Sequence, residues 1–277
     1  METYKIAGVQ MDIAIGERDQ NLAAMKTRLE QSLAAGAALT VFPECTTSGY
    51  CFETKTEALG VAESMDGPSV QTVINWCREF STFVIFGFLE TVDQHLYNSL
   101  AFVGPDGLIG SYRKVHLPML GVDRFTTSGD GFRVFSAGEL RVGLNICYDC
   151  SFPESARVLS LQGADLIALP TNWPPGSGAT SDLIPSARAF ENHVYFMAVN
   201  RVGSERGFDF IGKSKICDPK GNTLAFADHR DEQIIYADVD PSFARNKHLV
   251  SVPGQHEVHR INDRQPSAYG PIVSDKT

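Results

Sequence analysis

Three side chains stand where reactive groups interrupt apolar runs. Leu39-Thr40-Val41-Phe42-Pro43 ends in Glu44, Ile109-Gly110-Ser111-Tyr112-Arg113 leads to Lys114, and Val142-Gly143-Leu144-Asn145-Ile146 ends in Cys147. A thiol, an ammonium and a carboxylate form a chemically coherent set. The thiolate is a strong nucleophile, and the lysine stabilises both it and a developing oxyanion. The carboxylate carries protons between nucleophile, leaving group and water. Each residue alone also has a plainer reading: a buried structural cysteine, a solvated glutamate, a surface lysine. Cys147 has the best local argument, because it precedes Phe152-Pro153-Glu154-Ser155-Ala156-Arg157, a helix start with proline near its first turn. Free N–H groups and the positive helix end there favour thiolate.

Other candidate chemistry is thinner. Cys147 and Cys150 form a C-x-x-C, but no second one exists to complete a zinc site, and a redox pair would leave Glu44 and Lys114 unexplained. Cys150 reads as a small buried residue. His256-Glu257-Val258-His259 lacks the H-E-x-x-H spacing and sits in a polar tail, which reads as surface. Gly176-Ser177-Gly178 lacks the lysine of a phosphate loop and reads as a flexible segment. No metal or organic cofactor is expected.

The elements that must position these groups belong to a chain of 277 residues, long enough for a large core without disulfides. Its 24 Lys+Arg against 33 Asp+Glu give a net charge of −9, which argues against binding nucleic acid or an anionic membrane through bulk positive charge. The longest apolar run, Phe-Val-Ile-Phe-Gly-Phe-Leu at 83–89, is far short of the roughly 20 residues of a spanning helix. The opening Met1-Glu2-Thr3-Tyr4-Lys5 reads as no secretory leader, and the six cysteines read as reduced thiols, so a cytoplasmic location is expected.

Apolar spacing alternates between strand and helix. Strands are expected at 4–10, 39–43, 82–89, 141–146, 165–169 and 194–199, and helices at 21–35, 69–80, 152–162 and 181–192. Residues 95–103 and 108–115 form a hairpin around Gly104-Pro105-Asp106-Gly107, and 209–218, 223–226 and 233–239 make a β-rich stretch. After Pro241 the chain turns polar and irregular, an arm that must dock on something. Strands and helices so interleaved imply one α/β domain, with ligands beyond the carboxyl ends of its strands.

These residues carry a family resemblance. Phe42-Pro43-Glu44, the run Tyr112 to Pro118, and Asn145-Ile146-Cys147-Tyr148-Asp149 with Phe152-Pro153-Glu154 resemble the nitrilase, or carbon–nitrogen hydrolase, superfamily. Tyr97-Asn98-Ser99, Gly163-Ala164-Asp165, Leu169 to Trp173 and Arg188 to Asn192 match in the same order. The resemblance implies a four-layer αββα sandwich over residues 1–246, with a C-terminal arm at 247–277 on the same or a neighbouring subunit of a homodimer or higher oligomer. It implies Cys147 as nucleophile, Glu44 as general base and Lys114 as the oxyanion's cation, with the Tyr148 N–H completing that hole. Asn172, Trp173 and Tyr50 would line the pocket, and Arg188 with Glu191 would be a structural ion pair.

The expected reaction is hydrolysis of a small amide to acid and ammonia through a thioester on Cys147. Cleavage of a carbamoyl amine or a nitrile is the alternative, and a non-catalytic interaction protein on the same fold is the reading from another class. Cys147-Tyr148-Asp149 differs from the Cys-Trp-Glu of nitrile-cleaving relatives and favours amide. Cys150 and Ser151 stand where relatives with acidic substrates often place arginine, which favours a neutral or small acyl group unless an arginine such as Arg124 intervenes. Many relatives carry a second glutamate soon after the lysine; here the window offers only Asp123, which either takes that role or pairs locally with Arg124.

Overall fold

Residue-by-residue alternation along Phe83–Val92 builds the layers. Val84, Phe86 and Phe88 face a helix layer with Leu22, Met25, Leu29, Val70, Val73 and Trp76, while Ile85 faces Leu144, Ile146 and Val199 across the middle of the molecule. A strand buried on both faces needs covering on both, which yields helix, sheet, sheet, helix.

The computed structural model describes residues 3–228 and 230–274. The first half contributes β1 (Tyr4–Gln10), α1 (Arg18–Ala34), β2 (Leu39–Val41), α2 (Lys55–Leu59), α3 (Pro68–Phe80), β3 (Phe83–Val92), β4 (His95–Gly104) and β5 (Gly107–Arg113). The second contributes β6 (Arg133–Ala137), β7 (Leu140–Leu144), α4 (Pro153–Leu161), β8 (Leu166–Thr171), α5 (Gly178–Asn192) and β9 (Tyr195–Asn200). A small hairpin of β10 (Ser204–Glu205) and β11 (Phe208–Asp209) follows, then β12 (Lys215–Cys217), β13 (Thr223–Phe226) and β14 (Gln233–Val239). One six-stranded sheet runs β14-β1-β2-β3-β4-β5 and the other β13-β12-β9-β8-β7-β6. The expected αββα sandwich is the observed architecture. Among the described residues, no helix is long and apolar enough to cross a membrane.

The centres of both sheets are parallel: β1-β2-β3 in one, β7-β8-β9 in the other. Their carboxyl ends open on one side of the sandwich. Glu44 follows β2, Cys147 follows β7, and Asn172 follows β8.

Two expected elements differ. Residues 209–218 do not form one strand. Phe210, Ile211 and Gly212 leave the sheet, their N–H groups bonding the carbonyls of Gly203, Trp173 and Arg201, so that this segment folds over the loop after β8. β6 was not expected; its exposed Arg133 and Ser136 break the apolar pattern at a sheet edge.

The arm is more ordered than its polarity implied. It carries α6 (Pro241–Arg245), a hairpin of β15 (His248–Val252) and β16 (His256–His259), and α7 (Gly270–Val273). Within the chain it packs on the α4–α5 side. Arg245 pairs with buried Asp165 at 2.8 Å, the Lys247 ammonium bonds the carbonyls of Asn192 and His193 at the end of α5, and Arg260 lies over the Phe190 ring at 4.2 Å. His248 bonds Glu257, and His259 Nδ1 accepts the N–H groups of Ile261 and Asn262, so the His-Glu-Val-His segment is spent on its own hairpin.

Candidate active site

The loop after β2 turns sharply back over β3. Cys45 holds a left-handed backbone, φ 50°, and the carbonyl of Pro43 and the N–H of Thr47 bond Gly87. Only glycine fits at 87: a Cβ there would lie 2.3 Å from the Cys45 nitrogen. The approach drives Glu44 into the interior, fully buried. Lys114 continues the β4–β5 ladder, its N–H bonding the Asn98 carbonyl at 2.9 Å, and points its side chain the same way.

The two meet. Lys114 Nζ donates to Glu44 Oε1 at 2.8 Å and to Asp123 Oδ2 at 2.6 Å, with all three side chains closed to solvent. Asn98 Nδ2 bridges the same carboxylates, at 2.6 Å to Glu44 and 2.8 Å to Asp123. Cys45 Sγ donates to Asn98 Oδ1 at 3.6 Å, which leaves the amide nitrogen facing the acids. The second Glu44 oxygen, Oε2, is buried with no hydrogen-bond partner among the described residues. A buried carboxylate oxygen left bare is costly unless something comes to it.

Two acids share one ammonium. Burial, and then the Asp123 charge, push the Glu44 carboxyl above its ordinary range against the pull of Lys114. Burial alone would lower Lys114, but the charges of Asp123 and Glu44 outweigh it and raise the ammonium well above the usual lysine range.

Cys147 lies across from this pair, 5% exposed, with a left-handed φ of 42°. Strain of this kind costs on the order of 1–3 kcal/mol and clusters at functional sites. The residue opens a separate five-residue 3-10 turn, Cys147–Ser151, ahead of α4. Burial opposes the thiolate that the helix start was expected to favour. Burial first, and then Glu44, push the thiol above the ordinary cysteine range; Lys114, Thr171 and the Asn172 N–H pull it down and lose. The helix end that was to stabilise a thiolate lies beyond the 3-10 turn.

The remaining expected residues separate. Tyr148 is 39% exposed, its ring edge-on to Phe152; its N–H lies in the first turn of the 3-10 segment, where amides lack an intrahelical acceptor. Tyr50 is fully buried, and its hydroxyl sits 2.8 Å from Asp123 Oδ2, so it braces that acid and is not an open pocket wall. Gly121 makes room for it: φ is +48°, and a Cβ there would strike the Tyr50 ring at 2.1 Å. Asp123 does not pair with Arg124, whose guanidinium bonds the carbonyls of Gly121 and Phe52. Asn172 is buried with both side-chain amide atoms unpartnered among the described residues, whereas the Trp173 backbone is tied to Asn200 and Ile211. Arg188 does pair with Glu191, at 3.0 Å, and also holds the Cys150 carbonyl.

Asn98 bridges the two acids, and Thr171 is buried at the end of β8 beside Asn172; the residue reading gave neither a role. Both lie in segments that carry the family resemblance, and Asn98 is also a polar residue inside the apolar strand 95–103, whereas threonine is ordinary at a strand end.

A family model described as carbon-nitrogen hydrolase matches residues 5–248. A nitrilase of Pyrococcus abyssi is 39% identical over 88% of this chain and 93% of its own length. An omega-amidase of Homo sapiens is 31% identical over 87% of this chain and 90% of its own. The crystal structure of Saccharomyces cerevisiae Nit3, a member of branch 10 of the nitrilase superfamily, superposes with a TM-score of 0.80 at 26% identity, covering 88% of this chain and 92% of that one.

Proposed function

The chain belongs to the carbon–nitrogen hydrolase family and is an amidase-like enzyme of it; from that premise we propose that it hydrolyses a small amide to acid and ammonia through a thioester on Cys147. The observation that carries this reading is the bare Glu44 Oε2, a buried proton acceptor whose charge, with that of Lys114, acts on the Cys147 sulfur.

Glu44 Oε2 takes the Cys147 proton as the sulfur attacks the amide carbonyl, forming the S–C bond. Lys114 and the Tyr148 N–H hold the oxyanion. The C–N bond breaks as Glu44 returns the proton to nitrogen, and ammonia leaves. Glu44 then takes a proton from water, which attacks the thioester, and the S–C bond breaks to give acid and free thiol. This scheme uses no metal or organic cofactor. Asp123 holds Lys114 in place of reaching the substrate.

Arg124 is engaged by two carbonyls, and Cys150 and Ser151 offer no cation, so the acyl group is neutral or small, with Asn172 and Trp173 in its wall. A panel of aliphatic, aromatic and ω-amides, carbamoyl amines and matching nitriles, read by ammonia release and intact mass, tests the reading. Cys147-dependent ammonia from amides with an acyl adduct on Cys147 is expected. Full turnover by Cys147→Ala would sink the mechanism, and turnover of nitriles or carbamoyl amines alone would change the substrate class.

We also infer a catalytic unit of residues 1–246, a docking arm of 247–277 and a cytoplasmic homo-oligomer. Exposed Leu161, Ile272 and Val273 on the α4–arm face support association, and six free cysteines fit a reducing compartment. Sedimentation velocity on the full chain checks the first; a monomer at all concentrations rejects it.

A further inference from the structure

Lys114 and Cys147 come from different sheets, and sheets packed through apolar side chains carry little directional restraint between them. At the site, one buried side chain supplies it. Asp149 accepts four hydrogen bonds. Oδ2 takes the Ile146 N–H at 2.9 Å and the Tyr112 hydroxyl at 2.6 Å; Oδ1 takes the His116 N–H at 3.0 Å and lies 2.8 Å from His116 Nδ1.

The first of these bonds is local. Ile146 immediately precedes Cys147, and Asp149 also gives its own N–H to the Ile146 carbonyl at 2.9 Å, so the turn is closed reciprocally. The other three reach the opposite sheet. Tyr112 and His116 lie two residues before and two after Lys114. Tyr112 is buried, and the His116 ring stacks on Phe152 at 3.7 Å, directly after the Cys147 turn. The segment carrying the ammonium is therefore tied on both sides of Lys114 to the turn carrying the thiol.

We propose that Asp149 is a positioning residue that sets Lys114 and the Cys147 turn in register across the two sheets, acting through Tyr112 and His116 without touching substrate. The inference rests on the reading of Cys147 as nucleophile and Lys114 as its cation. One of the four bonds is a contact any turn could make, but the three that cross the sandwich join the Cys147 turn to the two sides of Lys114. Misplacement of a catalytic group by about 1 Å costs on the order of 10²-fold in rate.

The test measures kcat, KM, melting temperature and the rate of iodoacetamide alkylation at Cys147, followed by mass at one fixed alkaline pH, in wild type, Asp149→Asn, Tyr112→Phe, His116→Gln and Cys147→Ala. Asp149→Asn keeps the shape, but an amide nitrogen cannot accept from two donors. The expected result is a kcat loss on the order of 10²-fold with KM within about threefold. Tyr112→Phe and His116→Gln should show smaller losses of the same kind.

Alkylation separates positioning from charge. Removing a nearby carboxylate would by itself ease thiolate formation and speed alkylation, whereas letting Lys114 drift from the sulfur slows it. Slower alkylation in Asp149→Asn, and in the charge-neutral Tyr112→Phe, supports the brace. Unchanged kcat, or faster alkylation, overturns it, as does a lowered melting temperature with both activities intact. If Asp149→Asn fails to fold, the other two variants decide: wild-type kcat and alkylation in both reject the proposal. Turnover surviving in Cys147→Ala would instead reject the underlying mechanism.

Discussion

The buried acids around Lys114 and the His248–Glu257 contact of the C-terminal hairpin set a carboxylate against a nitrogen donor in opposite surroundings. Lys114, Glu44 and Asp123 are closed to water, share one ammonium between two carboxylates, and are held by Asn98 and Tyr50. His248 and Glu257 make one contact at 2.8 Å with the His248 side chain half exposed. Water screens the second pair and makes it nearly expendable. In the first, each charge is tolerable only because the others are there, so removing one exposes the desolvation cost of the rest. The difference teaches that this arrangement is kept for what it does to charge and proton affinity, since an apolar cluster of equal volume would hold the fold as well.

The strongest way to break the comparison is Lys114→Met. It leaves two buried carboxylates facing each other, so loss of activity is expected together with destabilisation of about 3–5 kcal/mol. Denaturant melts and ammonia release check this; wild-type stability would mean that the cluster is solvated.

Next in size is Gly87→Ala. No charge changes, but the new methyl meets the Cys45 backbone and must push Glu44 away from Lys114. A stability cost of about 1–3 kcal/mol is expected, with a kcat loss on the order of 10²-fold. Normal kcat in the folded variant would show that Glu44 tolerates displacement.

A pH series sharpens the electrostatic side. The proposed mechanism uses the Glu44 carboxylate as base, and burial pushes that carboxyl above its ordinary 4.5, so the acid limb of kcat/KM should fall at a pH above 4.5 and shift when Asp123 is made neutral. The sign for stability is opposite. A raised carboxyl pKa disfavours the charged form in the fold, so Glu44's own contribution is lost as pH rises from 4.5 through the raised value. An acid limb at or below 4.5 would remove the case for a desolvated base.

The smallest effect is expected from Glu257→Gln. Its carboxylate is held by the Gly254 N–H and His248 in the open. Melting temperature and turnover should match wild type, and a measurable fall in either would show that the hairpin is covered in an assembly.

Much of this was legible in residue order. β1, β2, α3, β3 and β9 follow from apolar periodicity to within a few residues, because periodicity reports which faces are buried. Glu44, Lys114 and Cys147 stood out as polar groups at the ends of buried strands, the one place where such side chains need a reason. Arg188 and Glu191 announced their pairing through helical spacing. These are local features, and the chain encodes them locally.

What only the tertiary structure decided lies in contacts between distant segments. The Asp123–Lys114 contact, the bridge through Asn98 and the brace from Tyr50 join the segments after β2 and β5, the interior of β4 and the 3-10 turn Gly121–Phe125. The surroundings of Cys147 also lay outside the sequence reading. Spacing to a helix start says nothing about how many solvent contacts a thiol loses, and here burial outweighs every nearby positive group. Charge states depend on the dielectric surroundings, which exist only once the two sheets have closed.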